Sequence, residues 1–199
     1  MISGKKFDKK YFSSGSYNNY EKILTQWVKP EAKRIYQILK DKPSAKILDI
    51  GCGFGNLLAE LQDKYHFLVT GIEYSPYAIQ RAQSSVKSKI KKGNILRSPF
   101  KKNNFDLVVC FDVVPHLTLE ETKRAVKNLV SVSRNYIFFS SIYRHSIYAS
   151  QKLNPDPLRL TTLSTKNYIN LFSKNGARLI RKFYGENGGD ILVFKKILK

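Results

Sequence analysis

Asp49, Gly51, Gly53 and Gly55 stand at alternate positions in Lys46-Ile47-Leu48-Asp49-Ile50-Gly51-Cys52-Gly53-Phe54-Gly55-Asn56, and Glu73 follows twenty-two residues after Gly51. Three glycines so close together let a ligand lie against bare backbone, and an acid just before them adds a negative charge to that contact. Dinucleotide-binding turns read G-x-G-x-x-G, whereas the last glycine here comes one residue early. A carboxylate at Asp49 would oppose a pyrophosphate, and it suits a ligand carrying positive charge. Glu73 lies at the distance where the end of the next strand supplies an acceptor for ribose hydroxyls. A third group able to do chemistry is His116, whose imidazole titrates near neutrality and can take a proton.

These residues need elements to hold them. Ile47, Leu48 and Ile50 form an apolar run that reads as a buried parallel strand, and Leu57-Leu58-Ala59-Glu60-Leu61 reads as a helix after the glycine turn. A second strand is expected over 67–73. Ser75-Pro76 then caps a helix expected to run to about Val86. Lys89 to Ile95 is a polar, marginal strand suited to a sheet edge. Phe105 to Phe111 is a buried strand, and Thr118-Leu119-Glu120-Glu121 is a capping box opening a helix. Tyr136-Ile137-Phe138-Phe139 is a fifth strand. A helix from about Thr165 ends at Asn175-Gly176. Strands near 177–184 and 190–197 flank Gly185-Glu186-Asn187-Gly188-Gly189 and should pair as a hairpin. Before the glycine turn, Tyr20, Ile23, Leu24, Trp27 and Val28 make an amphipathic helix. Pro30 should kink it or open a second one. Phe7, Tyr11, Phe12 and Tyr17 mark residues 1–18 as an arm that docks.

Alternating strands and helices with a terminal hairpin predict an α/β fold: a doubly wound, mostly parallel seven-stranded sheet with a C-terminal antiparallel hairpin. At 199 residues the chain is expected to be a single domain, 1–199. An N-terminal arm and helices occupy 1–40, and a core over 45–199 carries a long loop at 141–163. Loops of that length in compact domains tend to be functional.

The turn D-x-G-x-G-x-G with a downstream acid resembles the class I S-adenosylmethionine-dependent methyltransferases. That cofactor carries an ammonium and a sulfonium, which is the charge Asp49 suits. The resemblance implies that Asp49, Gly51, Cys52, Gly53 and Gly55 hold the methionine moiety and that Glu73 accepts the ribose hydroxyls, with Tyr74 beside the adenine. It also implies that Asn94 and Ile95 read the adenine edge; asparagine stands where the family usually has aspartate. Phe111-Asp112-Val113-Val114-Pro115-His116-Leu117 looks like the family's segment after the fourth strand, often F-D-V-L-E-H-L, with Pro115 in place of the glutamate. Phe111 and Asp112 would border the methyl group, and His116 is the first candidate for the base, with Asp112 beside it. His145 and Asp156 are weaker candidates, and His66 reads as surface.

The resemblance extends more faintly to members that modify glycans or natural products. These carry a Tyr/Phe-rich arm, matched by Tyr11-Phe12 and Tyr17-Asn18-Asn19-Tyr20. They also carry Asp-Pro-Thr-His before the last helix, where this chain has Asp156-Pro157-Leu158-Arg159. No D/N-P-P-Y/F or Pro-Cys follows the fourth strand, which argues against exocyclic amino methylation of bases and against cysteine-dependent cytosine chemistry. No His/Cys cluster has metal-ligand spacing, so no metal is expected.

Composition bounds the partners. The formal charge is +20, with lysines clustered at Lys5-Lys6, Lys9-Lys10, Lys87 to Lys92, Lys101-Lys102 and Lys195-Lys196. That balance implies an anionic partner rather than a fold. The expected enzyme methylates a small-molecule or glycan-like acceptor and binds nucleic acid weakly. The alternatives are an RNA methyltransferase that grips phosphates, and a non-catalytic protein of the same fold. Two cysteines, Cys52 and Cys110, exclude a disulfide framework. With no apolar segment of signal-peptide or membrane-span length, a cytoplasmic setting is expected.

Overall fold

In a computed structural model, which describes residues 2–13, 20–97, 99–141, 156–184 and 190–197, the strands β1 (Lys46–Ile50), β2 (Leu68–Glu73), β3 (Ile90–Lys92), β4 (Phe105–Phe111), β5 (Ser133–Ser140), β6 (Ala177–Tyr184) and β7 (Asp190–Lys196) form one sheet. Its order is β3-β2-β1-β4-β5-β7-β6. β1 runs parallel to β2, β2 to β3, and β4 to β5. β7 is antiparallel to both β5 and β6, so the terminal hairpin inserts a single reversed strand. This is the α/β class the sequence implied. The described chain gathers into two compact units, Ser3–Asn94 and Ile95–Lys199 with Met1–Ile2.

The first unit contains α1 (Lys9–Ser13), α2 (Tyr20–Leu39), α3 (Asn56–Asp63) and α4 (Pro76–Gln80) with β1 to β3. α2 passes through Pro30 as one helix, so the expected break does not occur. Val28, Ala32, Ile35 and Leu39 recur at helical spacing and are all buried. Burial of that apolar stripe offsets the hydrogen bond missing at proline and keeps the helix continuous. α4 is shorter than expected. Ser75 caps it and Pro76 opens it, but the chain turns away once Gln83 N–H donates to the Phe54 carbonyl at 2.9 Å. The arm docks as expected. Phe7 and Phe12 meet the Tyr11 ring edge-on at 5.0 and 5.2 Å, and Phe12 stacks on Tyr77 at 5.9 Å. Tyr17 lies outside the described residues.

The second unit contains α5 (Leu119–Val132) and α6 (Thr165–Lys174) with β4 to β7. Both halves of the capping box at Thr118 are made: its hydroxyl accepts the Glu121 N–H, and the Glu121 carboxylate accepts the Thr118 N–H. Every residue of β4 except Phe111 is buried, which suits an interior parallel strand. α6 seats Phe172 flat on Phe194 of β7, ring centres 4.0 Å apart, and edge-on against Phe139 of β5. Of the long loop at 141–163, residues 142–155 lie outside the described residues, His145 among them.

Candidate functional site

In the first unit, Asp49 is the fourth residue of β1 and only 5% exposed. The chain then bends through Gly51, Gly53 and Gly55, all at positive φ (73°, 53° and 75°). A side chain would be strained at each. The bend is pinned to the end of β2 from its first residues, because Gly51 and Cys52 N–H both donate to the Ile72 carbonyl, at 2.7 and 3.2 Å. Cys52 packs on the bare backbone of Gly71, where a Cβ would sit 2.7 Å from its sulfur. Cys52 and Cys110 are both buried, and neither is held in a disulfide. Burial, then the nearby Asp49 and Glu73, push the Cys52 thiol well above its usual range, so it is a filler and no nucleophile.

Glu73 ends β2 and turns its carboxylate onto the chain around it. Oε2 accepts the Gly53 N–H at 2.8 Å, and Oε1 accepts the Tyr74 and Ser75 N–H groups at 2.7 Å each. Each carboxylate oxygen has two acceptor positions, so Oε1 is filled and Oε2 keeps one. Burial raises the Glu73 carboxyl above its usual range, opposed by those three N–H donors. Burial and, second, Glu73 push Asp49 up to about 7. Two acids in one desolvated spot are a place that a cation stabilises.

The arm closes onto the same segment. Gly4 is buried against Tyr74, and a Cβ there would lie 2.2 Å from the Tyr74 carbonyl oxygen. The Ser75 hydroxyl donates to the Phe7 carbonyl while it accepts the Ala78 N–H. Phe12 also meets Phe54, the residue between Gly53 and Gly55, at 5.2 Å. Sequence reasoning placed an arm but missed Ser75 and Phe54 as its seat. Tyr74 is half-buried. Asn94 follows β3 and is half-buried, and Ile95, at the start of the next unit, is buried.

In the second unit, Phe111 ends β4 and is half-buried, and Asp112 follows at positive φ, 55°. The Asp112 N–H donates to the Ser140 carbonyl at 3.1 Å, which holds the turn. Desolvation by the surrounding chain raises the Asp112 carboxyl even though much of the residue's surface faces solvent; Arg159 pulls it back and Asp156 adds to the rise.

His116 closes a 3-10 turn, Val114–His116. Its Nδ1 lies 3.2 Å from the Leu158 carbonyl and 3.8 Å from Asp156 Oδ2. A carbonyl can only accept, so Nδ1 carries the proton and Nε2 is the basic nitrogen of the neutral ring. Burial lowers the His116 pKa and Arg159 adds to that; Asp156 and the Leu158 carbonyl oppose it. The structure therefore brings Asp156, a weaker candidate from sequence, beside His116, together with Arg159, which sequence reasoning did not single out. The Asp-Pro dipeptide at 156–157 was the available signal, since aspartate folds such turns onto its own backbone. His66 is exposed, at φ 58°, as expected for a surface residue.

Residues 47–135 match the family model of a methyltransferase domain. Over that stretch the chain is similar to methyltransferase domains, as the resemblance of its glycine turn implied. An uncharacterized protein of Methanocaldococcus jannaschii is 26% identical over 167 residues, spanning 80% of this chain and 72% of that one. The norajmaline N-methyltransferase of Rauvolfia serpentina is 27% identical over 139 residues, 63% of this chain. The alignment takes in less than half, 47%, of that plant enzyme. The structure of magnesium protoporphyrin IX methyltransferase from Synechocystis with bound S-adenosylmethionine matches with a TM-score of 0.73 at 18% identity, over 98% of both chains. At that identity the likeness is one of fold. The cofactor bound in that structure is S-adenosylmethionine, the one the sequence implied. No described helix is long and apolar enough to cross a membrane.

Proposed function

We propose that residues 1–199 act as one methyltransferase domain that transfers a methyl group from S-adenosylmethionine to a small-molecule or glycan-like acceptor. The observation that carries the cofactor half is the joint of Glu73 to Gly53, which fixes an acid against a turn of positive-φ glycines with a second buried acid, Asp49, before it. The donor set fits the cofactor. Asp49 offers a carboxylate to the ammonium, directly or through water. Gly51, Cys52, Gly53 and Gly55 offer backbone to the methionine moiety. Glu73 Oε2 offers its remaining acceptor position to a ribose hydroxyl. Tyr74, Asn94 and Ile95 serve the adenine, and Phe111 offers an aromatic face to positive charge, worth on the order of 0.5–2 kcal/mol.

The cofactor supplies a methyl group already activated on a sulfonium, so the chain's task is chiefly alignment, an effect worth ~7–11 kcal/mol. A hydroxyl or protonated amine acceptor must also lose a proton. His116 takes it at Nε2, and Asp112 holds the acceptor. His116 follows the carboxyl end of β4, the end at which sheets of this class carry ligands.

The acceptor class rests on the relatives: the Rauvolfia enzyme, and the Plasmodium falciparum phosphoethanolamine N-methyltransferase at 29% identity over 59% of this chain, are named for small acceptors. The charge of +20 favours a second reading, RNA as acceptor. Methyl-labelled cofactor incubated with separated RNA, glycan, protein and metabolite pools decides between them. Label in metabolites or glycans supports the first reading, and label at a defined nucleotide replaces it with the second.

A further inference from the structure

Segment 115–117 and segment 156–161 are stitched together around His116, though some forty residues separate them in the chain. Leu160 and Thr161 N–H both donate to the Pro115 carbonyl, at 2.7 and 3.0 Å. The Thr161 hydroxyl donates to the Leu117 carbonyl. Asp156, 5% exposed, organises the near end of the second segment: its Oδ1 accepts the Leu158 N–H at 2.9 Å, and its carbonyl accepts the Arg159 N–H at 3.2 Å. This is a turn that aspartate folds onto its own backbone. It delivers the Leu158 carbonyl to His116 Nδ1 at 3.2 Å and leaves Asp156 Oδ2 3.8 Å from the same nitrogen.

We propose that Asp156 is the positioning residue of His116: through the Leu158 carbonyl and its own Oδ2 it holds the ring in the Nδ1–H form, so that Nε2 is the nitrogen that takes the acceptor's proton. The inference rests on the reading of His116 as the base. It extends to this chain the logic of a buried carboxylate that orients a histidine for proton transfer. Among the described residues, Asp156 and Arg159 are charged groups that act on His116, and both act on Asp112 in turn. The negative charge at 3.8 Å favours the imidazolium that forms after proton uptake, and Arg159 opposes it. The Leu158 carbonyl sets the tautomer and lends the cation some support, and the Asp156 carboxylate adds the larger share.

Nuclear magnetic resonance of the full chain labelled with 15N-histidine tests this without any acceptor. The chain has three histidines, so His116→Gln assigns the signal. Wild-type His116 is expected as the Nδ1–H tautomer. Asp156→Asn keeps the Oδ1 acceptor and the turn but loses the charge, so the His116 titration midpoint should fall by roughly 1 unit or more. Asp156→Ala loses the turn as well, and a mixture of tautomers should appear. An unmoved midpoint in Asp156→Asn, read on a chain whose melting curve shows it folded, overturns the proposal; so does a pure Nδ1–H signal in folded Asp156→Ala. In methyl transfer, Asp156→Asn should move the rising limb of the kcat profile to lower pH with KM unchanged. Full methyl transfer by His116→Gln would instead remove His116 from the reaction, while the tautomer result would still stand on its own.

Discussion

Glu73 Oε2 accepts the Gly53 N–H at 2.8 Å, so the last residue of β2 fastens the middle of the glycine turn that follows β1. The same carboxylate fastens Tyr74 and Ser75 on its other oxygen. One side chain thus shapes the turn and faces the cofactor's ribose in the proposed complex. Glu73→Ala should weaken S-adenosylmethionine binding by about 1.5–3 kcal/mol, the worth of hydrogen bonds to a charged group. Glu73→Gln should lower the melting temperature too, because its NH2 must face N–H donors. Calorimetric titration and thermal melts check both; unchanged affinity in Glu73→Ala would remove Glu73 from the site.

Asp49 makes cofactor binding depend on pH. Its folded pKa is pushed up to about 7 against an ordinary 3.8, so between those values the folded chain holds a proton that the unfolded chain has lost. Stability of the cofactor-free protein from this group is therefore full below the ordinary value and falls as pH rises towards about 7. A cation beside Asp49 favours the carboxylate and expels that proton. Affinity for S-adenosylmethionine should then rise with pH, by up to about tenfold per unit, and level off above about 7. Asp49→Asn should abolish the slope. Titrations in buffers of different ionisation enthalpy would show the released proton, and its absence would contradict the assignment.

The arm offers a separate test. Gly4→Ala would place a methyl 2.2 Å from the Tyr74 carbonyl oxygen, so one of the two must move. Displacement should cost the docked arm about 1–3 kcal/mol, as overpacking does. Tryptic cleavage after Lys5, Lys6, Lys9 and Lys10 should quicken while the rest of the chain resists as before. Equal cleavage rates in the two proteins would mean that the Gly4 contact does not hold the arm.

Much of this was legible in the sequence because it depends on neighbouring residues. The strand Ile47 to Ile50, its glycines, the strand Phe105 to Phe111 and the box at Thr118 are local patterns, and each fell where it was expected. Misreadings came where distant packing overrode a local signal. Pro30 does not open a second helix, since buried residues on both sides of it, Val28 and Ala32, hold α2 to the core as one element. α4 stops at Gln80 because Gln83 is drawn to Phe54. The turn at Asp156 meets His116 across forty residues through main-chain carbonyls, and no spacing rule reports such a meeting.

The net charge makes a prediction about RNA. Lysines spread along the chain should give weak, unselective binding that falls with salt, each phosphate contact adding roughly −0.7 to −0.9 to the log–log slope. Phosphate contacts alone carry no sequence information, so bulk RNA should compete fully with any chosen RNA. Filter binding across a salt series checks this, and a marked preference for one RNA would revive the RNA reading.

The most direct test of the whole account is calorimetric titration of the purified chain with S-adenosylmethionine, its demethylated product and NAD. The acids at Asp49 and Glu73 around positive-φ glycines predict binding of the first two and none of NAD. NAD binding without S-adenosylmethionine binding would contradict it.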